Sequence, residues 1–119
     1  GVLVTQATSP MYAREAFWCI AATLGAVNSP YRPDEVLSVL PYHTYVPTFG
    51  DWGFVMASPR HLSPSSIKPF PAGRFLNTAV LSSMFNFPPD TGFIDTDINT
   101  VLTHELPRYY EQGWSRWYR

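Results

Sequence analysis

The sequence predicts an α/β fold in which one strand, one helix and a β-hairpin are followed by C-terminal helices. Three observations support this prediction. A continuous apolar run opens the chain and is followed by apolar residues at helical spacing. Two later strand-like runs are separated by a very short link, and two further segments carry the signals that begin a helix.

The first strand is expected within Gly1–Ala7, because a short continuous apolar run suits a strand buried on both faces, as in a parallel sheet. A helix should follow, since Ser9 can cap it, Pro10 suits its first position and Gly25 supplies a stop signal. Its apolar face is predicted to contain Ala13, Ala16, Phe17, Ile20, Ala21 and Leu24. A strand that leads into a helix is half of a βαβ unit.

The hairpin is predicted from two strands, Val36–Pro47 and Trp52–Ala57, after a loop rich in proline, asparagine and aspartate. The link TFGD is too short for a crossover, so the two strands should pair in antiparallel fashion. Pro41 restricts the first of them to an edge strand or a bulge, because proline cannot donate to the ladder.

The remainder is expected to be a loop-rich segment with helices, so the chain divides into 1–57 and 58–119. Ser58–Gly73 is rich in proline and serine and should cross the surface. Asn77 is predicted to cap a helix whose apolar face includes Leu81. A last helix is expected over Leu106–Arg119, with Pro107 in its first turn.

Composition excludes several functions. The net charge of −1 gives no electrostatic footprint for nucleic acid. No apolar run reaches the length that spans a bilayer. Cys19 is the only cysteine and is expected to be a small buried helix residue rather than a nucleophile. The three histidines are too scattered to suggest a metal site. The chain lacks an initiating methionine and starts within a strand, so we expect it to be cut from a longer protein.

Three segments, GVLVTQA, PYHTYVPTFGDWGFVMAS and RFLNTAVLSSMFNFP, resemble in order and spacing the C-terminal half of the catalytic domain of the polyamine aminopropyltransferases, the spermidine synthase family. The resemblance covers Gly1 to about Pro89. The tail INTVLTHELPRYYEQGW is most similar to the long bacterial branch, in which this domain follows a membrane-spanning half. It implies a Rossmann-like fold of the S-adenosylmethionine-dependent methyltransferase type, a cytoplasmic location and a parent tethered to the inner membrane.

The resemblance also implies a reaction and its partners. The family transfers an aminopropyl group from decarboxylated S-adenosylmethionine to putrescine. The nucleotide-binding glycine-rich loop is absent from this chain, and the catalytic aspartate is expected upstream of Gly1. We therefore expect no cofactor site, no catalytic residue and no activity in this chain alone. One edge of the Gly1–Ala7 strand should lack a partner strand in this chain, so we also expect a homo-oligomer that forms through that edge.

The resemblance assigns Gln6 to the diamine site, at the carboxyl end of the first strand, where ligands of open α/β sheets bind. Tyr42, His43, Tyr45 and Asp51 are the further candidates, since aromatic faces, neutral acceptors and carboxylates suit ammonium groups. His43 stands where many members have tyrosine. Each of these residues also has a structural alternative: backbone hydrogen bonding for Gln6, edge-strand packing for the two tyrosines and a turn role for Asp51. Trp52 is expected to pack rather than bind.

Two other functions stay open from the sequence. One is another Rossmann enzyme that uses S-adenosylmethionine, most plainly a methyltransferase, because a terminal antiparallel hairpin occurs there too. The other is a non-catalytic assembly module that kept the fold and lost the chemistry.

Overall fold

A computed structural model describes residues 1–68, 73–100 and 103–117 of the chain. The end of the predicted last helix, at 118–119, and part of the predicted surface crossing, at 69–72, lie outside the described residues. The elements in chain order are β1 (Leu3–Gln6), α1 (Arg14–Gly25), β2 (Ser38–Val46), β3 (Gly50–Ser58), α2 (Thr78–Met84) and α3 (Glu105–Ser115), with one 3-10 turn at Pro64–Ser66. The prediction of an α/β chain with a hairpin is confirmed.

The three strands form one sheet in the order β1, β3, β2, and both pairings are antiparallel. The hairpin return strand therefore lies in the middle. Because β3 runs opposite to both neighbours, β1 and β2 run in the same direction. Their carboxyl ends, at Gln6 and Val46, therefore point toward the same end of the sheet.

The first strand is not buried on both faces, and that prediction was wrong. Val2, Leu3 and Val4 are 58%, 50% and 52% exposed, and β3 is the only strand that pairs with β1 among the described residues. The apolar composition of β1 exceeds what its one neighbour and the helices can cover.

The core lies between α1 and one face of the sheet. Phe17, Trp18 and Ala21 of the helix pack against Val55 of the central strand and against Ala7. Gly53 allows this approach, since a Cβ atom there would lie only 2.3 Å from a ring carbon of Phe17.

The helix α1 begins later than predicted. The Ser9 hydroxyl accepts hydrogen bonds from the backbone N–H groups of Met11 and Tyr12, at 3.2 and 3.3 Å, and so caps a separate turn. Ala13 has a non-helical φ of −137°, so the helix begins only at Arg14. Sequence signals for a turn and for a helix start are the same here, because both use a serine oxygen to satisfy nearby N–H groups.

The hairpin turn is tight and needs unusual backbone angles. Three residues link Val46 to Gly50, and the turn has φ 73° at Thr48 and 85° at Gly50. Positive φ is free for glycine and costly for threonine. The turn therefore holds Phe49, which lies between them, in one position at the tip of the hairpin.

The outer edge of β2 is covered by the segment that follows α2. Asn77 caps α2 as predicted, with its side-chain oxygen accepting from Val80 N–H at 2.8 Å. Phe85 then contacts Tyr42 on one face of the sheet, and Phe87 contacts His43 on the other. Pro41 lies on this strand, whose described strand neighbour is on one side only, which agrees with its predicted edge position.

Helix α3 packs against the start of α1. Gly113 permits the contact, because a Cβ atom there would be 2.8 Å from Ala13 Cα. Tyr12 stacks on Trp114 with ring centroids 5.5 Å apart and meets Trp117 edge-on at 5.0 Å. Arg116 donates to a carboxylate oxygen of Glu15 at 2.7 Å. A small residue, two rings and an ion pair thus dock the last described helix.

Candidate functional site

Gln6 and Tyr42 lie in one row across the sheet, with Phe54 between them. In the register Gln6 is opposite Phe54 on one side, and Tyr42 is opposite Phe54 on the other. Residues directly opposite each other share a face, and strands are about 4.8 Å apart, so the two outer residues are roughly 10 Å apart on the same face. Tyr42 stacks on Phe54 at 5.3 Å. This row is the first part of the candidate site.

The polar groups of this row are available. The side-chain amide of Gln6 is exposed and has no hydrogen-bond partner among the described residues. Burial raises the pKa of the Tyr42 hydroxyl above its ordinary value of 10.0, so the phenol is neutral at physiological pH. An amide and a neutral phenol can each accept a hydrogen bond from an ammonium group without forming an ion pair.

His43 and Asp51 lie on the opposite face, the one that α1 covers, and bond to each other. His43 Nδ1 is 2.8 Å from Asp51 Oδ1, and its Nε2 is 2.5 Å from the backbone oxygen of Asn86. The ring of Phe87 packs at 4.5 Å from that of His43. We call this set the histidine clasp: His43, Asp51, Asn86 and Phe87. It ties the hairpin to the segment that covers the β2 edge.

The five predicted site residues therefore do not form one cluster. Gln6 and Tyr42 share one face, and His43 and Asp51 share the other. Tyr45 is opposite Asp51 in the register and is 67% exposed. The alternation of side chains along a strand explains the split, since neighbours in sequence such as Tyr42 and His43 must point to opposite faces.

A further group of rings at the hairpin tip was missed from the sequence. Phe49 and Trp52 lie 5.6 Å apart by ring centroids. They line a cavity of about 560 Å³, which we call the aromatic chamber; its walls are Tyr12, Thr48, Phe49, Trp52, Trp114 and Trp117. Only the aromatic density of TFGDWGF and GWSRWYR could have signalled it, because these segments are far apart in sequence.

Other chemistry finds no support in the described part of the chain. No group of three or more metal-ligating side chains occurs there. Burial raises the pKa of the Cys19 thiol, while a hydrogen bond with Thr23 acts in the opposite direction, and a thiol so held is a poor nucleophile. None of the described helices combines the length and apolar character that a membrane span requires.

Comparison with known proteins places the chain among longer relatives. A polyamine aminopropyltransferase of Leptospira interrogans is 39% identical over 97% of this chain, and polyamine aminopropyltransferase 2 of Ralstonia nicotianae is 37% identical over 96%. The protein of that name from Mycobacterium tuberculosis (strain ATCC 25618 / H37Rv) is 34% identical over 96%. The match covers 21% of each of these relatives, so the chain spans about a fifth of their length.

No family model and no solved structure matches the chain. The resemblance to the polyamine aminopropyltransferases is nevertheless confirmed, because nearly the whole chain matches a C-terminal portion of several of these proteins. The chain is thus similar to a segment of this transferase family rather than to a complete member.

Proposed function

We propose that this chain is the C-terminal portion of a spermidine synthase and supplies one wall of its diamine site. In the intact protein an aminopropyl group would pass from decarboxylated S-adenosylmethionine to putrescine. The observation that carries the proposal is the match of nearly the whole chain to polyamine aminopropyltransferases. The sheet order supports it, since an antiparallel strand inserted between two strands of one direction suits the end of a Rossmann-like sheet.

The reaction sets requirements that the Gln6–Phe54–Tyr42 row can meet. A diamine nitrogen attacks the methylene group next to a sulfonium, the carbon–sulfur bond breaks, and methylthioadenosine leaves with the bonding electron pair. The attacking nitrogen must be neutral, whereas free putrescine carries two positive charges at neutral pH. A neutral acceptor such as the Gln6 amide can hold a nitrogen of the diamine in position without opposing the loss of its proton.

Two of the predicted residues take a different part in this proposal. Asp51 already accepts from His43, so we assign the pair to holding the hairpin rather than to contacting the diamine. Tyr45 stays a candidate at the exposed rim. The proposed division is therefore a diamine wall within 1–57 and a segment, 58–119, that covers and braces it.

The proposal needs the rest of the protein. The base that takes the amine proton and the glycine-rich nucleotide loop belong to the part upstream of Gly1, so we expect no aminopropyl transfer by this chain alone. A cytoplasmic site on a protein tethered to the inner membrane also stays a prediction from the resemblance.

The test is Gln6→Ala in the intact protein. We expect kcat/KM for putrescine to fall, because one positioning hydrogen bond is lost. The fall should correspond to a loss of about 1–3 kcal/mol of transition-state stabilisation. The KM for decarboxylated S-adenosylmethionine should stay near wild type. Gln112→Ala, an exposed glutamine on α3, is the matched control and should change neither constant. Equal losses for both substrates would show that Gln6 supports the fold instead.

A further inference from the structure

We propose that helix α3 takes part in substrate binding, and that the aromatic chamber holds an alkylammonium end of the polyamine acceptor. This inference rests on the proposed function, but it concerns residues that neither the sequence nor the comparisons assign. Three of them, Tyr12, Trp114 and Trp117, lie outside the hairpin; Trp114 belongs to α3, and Trp117 lies just beyond its C-terminal end.

The rings of the chamber come from three separate elements. Phe49 and Trp52 belong to the hairpin tip, Tyr12 to the turn before α1, Trp114 to α3, and Trp117 to the residues just beyond the end of α3. Tyr12 contacts both tryptophan rings, at 5.5 and 5.0 Å. Aromatic side chains from such distant parts of a chain usually pack into a core, yet here they enclose about 560 Å³ of space.

The chamber is open to solvent at two of its rings. Phe49 is 60% exposed and Trp117 is 49% exposed. Exposing two large rings at one cavity costs hydrophobic free energy that a ligand would restore. The chamber also lies at the carboxyl end of β2, and ligands of open α/β sheets bind beyond the carboxyl ends of the strands.

The chemistry of the walls selects the ligand class. Ring faces attract a cation through their quadrupoles, and five of the six lining residues that the structure describes are aromatic. A polyamine supplies the complement of these walls, an ammonium group that can lie against the ring faces.

The docking of α3 holds Trp114, and with it Trp117 just beyond the helix, in this position. Gly113 lets the helix backbone approach Ala13, and the Arg116–Glu15 ion pair lies one residue from Trp117. The positive φ values at Thr48 and Gly50 fix Phe49 on the facing side. The walls of the chamber are thus preformed, which lowers the ordering cost of binding.

The test uses the intact protein and four variants. Trp117→Ala should raise the KM for putrescine about tenfold, as expected for loss of one desolvated cation–π contact, and leave the KM for decarboxylated S-adenosylmethionine unchanged. Trp117→Phe keeps a ring and should stay within about threefold of wild type. Phe49→Ala reaches the chamber from the hairpin and should match Trp117→Ala even if α3 shifts. Tyr31→Ala, an exposed ring outside the chamber, should change nothing.

A calorimetric titration separates this proposal from the proposed function. Putrescine should bind the intact protein about tenfold more tightly than butane-1,4-diol, its neutral isostere, and Trp117→Ala should remove that preference. Equal binding of the two probes, or an unaltered preference in Trp117→Ala, would overturn the chamber proposal while leaving the transferase intact. An intact protein without transferase activity that still prefers putrescine at the chamber would refute the proposed function alone.

Discussion

The two outer strands of the sheet differ in how well the rest of the chain covers their free edges. Beyond β2, the segment after α2 crosses the edge and places Phe85 on one face and Phe87 on the other. Beyond β1 no described element covers the edge, and Val2, Leu3 and Val4 are about half exposed. Both strands mix apolar and polar residues, so composition alone does not explain the difference.

Among the described residues, the β2 edge of the sheet is covered and the β1 edge is open. Natural proteins cover or charge an exposed sheet edge, because unpaired backbone groups on an apolar strand recruit other chains. The β2 edge has such a cover, including the histidine clasp. The β1 edge has an apolar surface that suits a further strand or a second copy, in agreement with a chain that matches only part of its relatives.

The largest expected effect is in the central strand between the two edges, at Gly53→Ala. The new Cβ atom would lie 2.3 Å from Phe17 Cε2 and 2.9 Å from the backbone oxygen of Thr8, which cannot move like a side chain. We expect a loss of about 3 kcal/mol in the free energy of unfolding, measured by urea denaturation at fixed protein concentration.

Gly25→Ala is the matched control for that substitution. Its Cβ atom would meet Val39 at 3.6 Å, an ordinary contact, so the free energy of unfolding should stay within about 0.5 kcal/mol of wild type. A similar loss in both variants would mean that the sheet and α1 are not packed as closely as described.

Phe87→Ala should be the next largest change, because it removes the cover from the β2 edge. The ring contacts Phe17, Trp18 and His43, and its partly buried position suggests a loss of about 2–3 kcal/mol in thermal or urea unfolding. Phe75→Ala, at a ring that is 65% exposed, should cost less than about 0.5 kcal/mol. Comparable losses at both positions would argue against a special role for the covering segment.

Local signals were sufficient to predict most elements of the fold. The short link between β2 and β3 forces a hairpin, and Asn77 caps α2 through its own side chain, so both follow from neighbouring residues. The start of α1 was placed too early, because Ser9 serves a turn that uses the same hydrogen bonds as a cap. The exposure of β1 depends on what lies beside it, which a pattern of apolar residues does not encode.

The candidate site was harder to predict, because it depends on which face each residue occupies. Tyr42 and His43 were expected to act together, yet strand alternation separates them. The His43–Asp51 bond could have been inferred from the hairpin register, since the two residues lie diagonally across from each other. The aromatic chamber could not, because it joins Tyr12 and Trp117 through the docking of α3.

At the open β1 edge, Val4→Glu should weaken self-association of the chain. We predict that the chain alone forms a homo-oligomer through β1, and a carboxylate at Val4, which is 52% exposed, would be buried without a partner in such a contact. The dissociation constant should rise at least about tenfold by light scattering after size exclusion. Lys68→Glu, on an exposed loop, should have no such effect. A wild-type chain that is monomeric at micromolar concentration would refute this prediction.

The smallest expected effect concerns the ion pair that docks α3 beside α1. Burial alone would raise the pKa of Glu15, but the hydrogen bond from Arg116, a backbone hydrogen bond and the charges of Arg116 and Arg14 outweigh it and hold the pKa below its ordinary value of 4.5. The folded carboxyl therefore binds its proton less tightly than the unfolded one. Its contribution to stability is complete above the unfolded pKa and is lost as pH falls through the folded pKa.

We expect Glu15→Gln to lower the free energy of unfolding by about 0.2–1 kcal/mol at neutral pH, since the Arg116 side chain is 53% exposed and solvent weakens the pair. At a pH well below 4.5 the difference between wild type and variant should vanish, because the carboxyl is then protonated in both states. Urea unfolding at the two pH values measures this, and Glu35→Gln, in the exposed Arg32 pair, should show a smaller difference at neutral pH. A difference that persists in acid would mean that the loss in Glu15→Gln does not come from the charge of the Arg116 pair.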